Sequence, residues 1–97
     1  MQIRVRVPSA LRDLVAGAQS VTVDLGGEAG RATVAAVLDG LAVTHPALER
    51  RVRDERGDTR IHVNLFVGPD NVRDLDGLDT PIPPGHDLSI IPAISGG

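Results

Sequence analysis

The sequence has no cysteine and no lysine, and its single aromatic residue is Phe66. Without cysteine there can be no disulfide, thiolate metal site, iron–sulfur cluster or cysteine nucleophile. Without lysine, all ten basic residues are arginine, a pattern that the codon bias of a GC-rich genome produces. The chain therefore offers no side-chain amine on which a neighbouring copy's activated C-terminus could be trapped. No apolar run approaches the roughly 18 residues that span a bilayer. Met1-Gln2-Ile3-Arg4 leads directly into an alternating pattern and lacks a signal-peptide core. A cytoplasmic protein that does not engage membranes is expected. Net charge is −3 with no basic stripe, which argues against nucleic acid as a partner.

Motifs for chemistry are equally scarce. Gly26-Gly27-Glu28-Ala29-Gly30 has neither dinucleotide nor phosphate-loop spacing. Asp74-Leu75-Asp76-Gly77 starts like a calcium loop but lacks the later ligands. His45, His62 and His86 stand apart, with no i, i+4 pairing and no neighbouring serine or cysteine. Each reads as a surface or loop histidine. No metal, bound cofactor or catalytic constellation is expected.

What is present fits one domain. At 97 residues a chain buries roughly 60–65% of its unfolded surface, enough for one modest core. Gln2 to Val7 alternates, with Ile3, Val5 and Val7 on one face and Arg4 and Arg6 on the other. Pro8-Ser9 ends that strand, and Ala10 to Val15 is a short connection. Ser20 to Leu25 alternates again, so an antiparallel pair is expected. Thr33 can cap a helix whose stripe is Val34, Val37, Leu38 and Leu41. Gly40 weakens the case for that helix's last turn. Ala47 to Arg53 fits a second short helix, and the charges from Glu49 to Arg56 fit a solvated face.

Arg60 to Val67 is the clearest strand pattern. Ile61, Val63, Leu65 and Val67 form one face; His62, Asn64 and Phe66 form the other. Two readings fit Phe66: a lone exposed apolar residue, which needs no explanation, or the centre of a docking surface. Gly68 to Asn71 is a turn, and Val72 to Leu75 is at most a short strand. Thr80-Pro81-Ile82-Pro83-Pro84-Gly85 is a rigid connection into a last strand, Asp87 to Ile91. Ile3, Val5, Val7, Val34, Val37, Leu38, Leu41, Ile61, Val63, Leu65, Leu88 and Ile90 are the expected core.

The order β-β-α-β-β-β describes an α+β protein: a mixed sheet with one main helix packed across it, and first and last strands parallel in the centre. That is the β-grasp, or ubiquitin-like, arrangement. Residues 1–92 form the domain and residues 93–97 a free tail. Pro92 lacks a backbone donor and ends regular pairing. Ala93-Ile94-Ser95-Gly96-Gly97 follows. Two residues without Cβ let backbone enter a slot that a side chain would block. A frayed end or an expression scar is the competing reading.

Three stretches carry a resemblance to a known family: Val63-Asn64-Leu65-Phe66-Val67 with Val72-Arg73 after its turn; Gly77-Leu78-Asp79-Thr80-Pro81-Ile82; and Gly85 through Gly97. The chain resembles the ubiquitin-like sulfur carriers of the ThiS/MoaD type. It looks most like the longer carriers that serve cysteine formation or specialised metabolites. His86 stands where family members commonly have an acidic residue. The resemblance implies a carrier, not an enzyme. An activating enzyme uses ATP to adenylate the carboxylate of Gly97, and sulfur then replaces AMP to form a thiocarboxylate. A downstream biosynthetic enzyme takes the sulfur, and a metalloprotease that trims or releases the chain is a further implied partner. Gly96 gives the tail access, and Phe66, His62, Asn64, Ile94 and Ser95 form the partner-binding set. The alternatives are a molybdopterin synthase small subunit, a ubiquitin-like modifier, or an interaction domain without terminal chemistry.

Overall fold

A computed structural model describes residues 1–26 and 32–92. The strands are β1 (Gln2–Arg6), β2 (Ser20–Asp24), β3 (Val63–Val67), β4 (Asp70–Asn71) and β5 (Leu88–Pro92); the helices are α1 (Val34–Thr44) and α2 (Pro46–Val52). Short 3-10 turns occupy Ser9–Val15, Val72–Asp74 and Gly77–Asp79. The five strands form one sheet in the order β2-β1-β5-β3-β4. β1 and β5 run parallel, with Val5 opposite Leu88, and the other pairs are antiparallel. This is the β-grasp topology, with the last strand at the centre.

Alternation decides which face each strand residue takes. Ile3, Val5, Val63, Leu65, Val67, Leu88 and Ile90 point inward and are buried together with Val34, Val37, Leu38 and Leu41 of α1. Thr33 caps α1: its Oγ1 accepts from the Ala36 N–H at 3.1 Å. The helix continues past Gly40 to Thr44. A Cβ on Gly40 would lie 2.5 Å from Cγ1 of Val23, so glycine lets helix and strand approach closely. Helix propensity is overruled there by packing.

Several expectations need correcting. Ile61 is 79% exposed and lies outside the core. The chain turns before β3: the Val63 N–H donates to the Arg60 carbonyl at 3.0 Å. The Arg73 guanidinium holds this turn, donating to the carbonyls of Arg60 (3.1 Å) and Val63 (2.8 Å). The alternating pattern, Arg60 to Val67, thus begins three residues before the strand it describes. Residues 72–75 hold a 3-10 turn rather than a strand; Asn71 Oδ1 accepts from the Arg73 N–H at 3.0 Å and caps it. Pro92, the last described residue, is itself paired, opposite Val63.

The charge run after α1 is not wholly solvated. Arg53 lies against Glu49 at 2.7 Å and Asp39 at 3.0 Å, which ties α2 to α1. Burial works against its charge, but the hydrogen bonds and fields of Glu49 and Asp39 outweigh that, so its pKa is raised above the ordinary arginine value. Leu48 and Val52 are fully buried beside it.

The proline-rich connection is a strap. The Ile82 N–H donates to the Ala32 carbonyl at 2.8 Å, and the Val34 N–H donates to the Thr80 carbonyl at 3.0 Å. Ile82 is fully buried, and Thr80 is the buried polar residue of this segment. Its Oγ1 accepts from the Asp76 N–H at 3.1 Å. The prolines hide the strap from any periodicity test.

Candidate functional site

The outer face of the sheet presents the residues that alternation turns away from the core. Phe66 of β3 stands opposite Ser89 of β5, and Ser89 stands opposite Arg6 of β1. Asn64 stands opposite Ile91. Phe66 is half-buried, not free. Ile91, its diagonal neighbour across the small Ser89, is 45% exposed and joins it in one apolar couple. The site set read from the sequence lacked Ile91. Its place two residues after Ser89 in the alternation puts it on the same outer face, but the pairing that sets it beside Phe66 is long-range.

The polar members differ in what they are free to do. Asn64 Oδ1 accepts from Arg73 Nε at 3.2 Å and from Asn71 Nδ2 at 3.5 Å. Its side chain is therefore part of the clamp that joins β3 to β4 and the 3-10 turn. His62 is not on the strand: it lies in the exposed turn before β3. It lines an open groove with Leu11, Arg51, Ile61, Val63 and Pro92. That groove sits where β5 ends, at the last described residue, Pro92. The structure thus divides His62, Asn64 and Phe66 between two adjoining places. Ile94, Ser95, Gly96 and Gly97 lie outside the described residues.

Charge on the outer face comes chiefly from β1. Arg6 Nε lies 2.9 Å from Asp87 Oδ2, and Arg4 approaches the same oxygen at 3.9 Å. Among the described residues, no three His, Cys, Asp or Glu side chains come together as a metal site. No described helix is long and apolar enough to cross a membrane. Among the described residues the arrangement offers a contact surface leading to the end of β5, without an acid–base pair set against a nucleophile.

Comparison with known proteins places this geometry. The model of the ThiS family matches residues 5–97. The sulfur carrier protein CysO of Mycobacterium tuberculosis is 31% identical over 99 residues, covering all of both chains. Small archaeal modifier protein 1 of Haloferax volcanii is 36% identical over 83 residues, covering 86% of this chain and 87% of the relative. Among solved structures, a chain of the Amycolatopsis orientalis BexX/CysO complex superposes with a TM-score of 0.79 at 30% identity, covering 98% of this chain and 99% of its own.

Proposed function

The chain belongs to the ThiS family, whose relatives include ubiquitin-like sulfur carriers, and from that premise we propose that sulfur is carried at the carboxylate of Gly97. A carboxylate resists attack because its leaving group would be oxide. In the proposed sequence a carboxylate oxygen attacks the α-phosphorus of ATP and pyrophosphate leaves. A sulfur nucleophile then adds to the acyl carbon, the carbon–oxygen bond breaks, and AMP departs with the electron pair. ATP is held by the activating enzyme. The carrier contributes reach and positioning, while its partner supplies the electrostatic stabilisation.

The observation that supports this reading best is the full-length match to CysO, which extends over a terminus ending in Gly96-Gly97. The partners are the activating enzyme, a downstream sulfur-accepting enzyme and, where trimming exposes the end, a metalloprotease. The docking set is Phe66 with Ile91, supported by Asn64, with His62, Ile94 and Ser95 toward the tail.

Intact-protein mass spectrometry tests the chemistry. With activating enzyme, ATP and sulfide, the mass should rise by about 16 Da, sulfur for oxygen, on Gly97 alone. Deleting Gly97, or replacing Gly96 with Val, should abolish the shift. A shift mapped to another residue, or one that survives deletion of Gly97, would sink the proposal. The likeness to small archaeal modifier protein 1 favours a second reading, attachment of Gly97 to amines of other proteins. Amide-linked adducts in place of the thiocarboxylate would select it.

A further inference from the structure

We propose that the outer face of the sheet docks a protein surface that sets carboxylates around an apolar socket. Phe66 and Ile91 enter the socket, and Arg4 and Arg6 meet the carboxylates. This rests on the reading above that the face receives a partner, and it adds that partner's chemistry.

The charge distribution carries the inference. The whole chain holds 13 acidic and 10 basic residues, yet the apolar couple is bordered on β1 by two arginines. Arg4 and Arg6 are 59% and 61% exposed at their side chains, and among the described residues they share one acid, Asp87, which is 28% exposed. One carboxylate cannot neutralise two guanidiniums. The Arg6 contact uses Nε, and the 3.9 Å approach of Arg4 is loose, so donors remain on both groups. Exposed pairs of this kind are weak, and exchanging Asp87 for a partner's carboxylate costs little. Arginine and aromatic side chains are also the residues that dominate interface energetics.

The same charges exclude two other occupants. A second copy placed face to face would set arginines against arginines, which a self-complementary interface cannot tolerate without loss. Nucleic acid calls for many phosphate contacts and a basic field. Here the surrounding chain is net acidic.

The test measures KM for the full-length carrier in ATP–pyrophosphate exchange with its activating enzyme, at low and high salt. Arg4→Gln with Arg6→Gln should raise KM about tenfold at low salt and flatten its salt dependence. Arg4→Lys with Arg6→Lys should retain most of the wild-type KM, because the charge is kept. If the glutamine pair stays within about twofold of wild type while Phe66→Ala raises KM, the face docks through apolar contact alone and the acidic rim is wrong. If the lysine pair is as weak as the glutamine pair, charge is not what binds and the proposal falls. If Phe66→Ala also leaves KM unchanged, the docking reading fails with it.

Discussion

The two faces of the sheet are built from the same strands and obey different rules. On the inner face, Ile3, Val5, Leu65, Leu88 and Ile90 are buried against α1, and none of these is polar. On the outer face, Arg4, Arg6, Asn64, Ser89, Phe66 and Ile91 alternate with them. Leu65 and Phe66 are adjacent in the chain, yet one is fully buried and the other half-open. Stability and recognition are thus separated residue by residue along each strand. Mutations on the two faces should differ in kind as well as in size.

The largest effect belongs to the inner face. Leu65→Ala removes a fully buried side chain from the centre of the core and should cost about 2–5 kcal/mol. Urea unfolding measures this directly. A loss below about 1 kcal/mol would show that the core collapses around the gap far more readily than close packing allows.

Gly40→Ala comes next. In an isolated helix alanine would gain up to about 1 kcal/mol. Here the new Cβ meets Val23 at 2.5 Å, and overpacking of this kind costs about 1–3 kcal/mol. The net change should be a lower melting temperature. A stabilised variant would mean that α1 can move off β2 without penalty.

These two positions also mark how far the sequence could be read. Strand periodicity identified the inner faces of β1, β3 and β5, and the heptad-like stripe identified α1. Those signals are local, and every residue they assign to the core is buried apart from Ile61. The strap at Thr80 and Ile82 was not legible, because its burial follows from backbone hydrogen bonds to residues almost fifty positions away. Gly40 looked like a flaw in the helix until β2 was placed beneath it. On the outer face, Phe66 stood out as the lone aromatic. Its company did not: Ile91 reaches it only through the β3–β5 register. Asn64 belongs to a clamp with Arg73 and Asn71 that no spacing rule announces.

Phe66→Ala probes the outer face and should cost less than the core variants. Part of the ring is covered, so a loss of about 1 kcal/mol in stability is expected. The larger consequence should be weaker binding to the activating enzyme, visible by titration calorimetry with folded variant. If the variant unfolds while its folded fraction binds normally, Phe66 belongs to the core and the two faces are less separate than their alternation implies.

Ile61→Ser should have the smallest effect, and it asks where the inner face stops. By alternation Ile61 belongs with Val63 and Leu65. By structure it is 79% exposed, lifted out by the turn that closes between Arg60 and Val63. A surface substitution away from caps and buried networks changes stability by no more than about 0.5 kcal/mol. Serine keeps the turn possible, since the hydrogen bond that closes it and the Arg73 contacts use backbone carbonyls of other residues. A near-zero change in urea unfolding would place the boundary of the core at Val63. A loss above about 2 kcal/mol is the size expected when a buried aliphatic side chain is cut back. It would mean that Ile61 is covered in the folded protein, and that the inner face continues past the turn toward the end of β5.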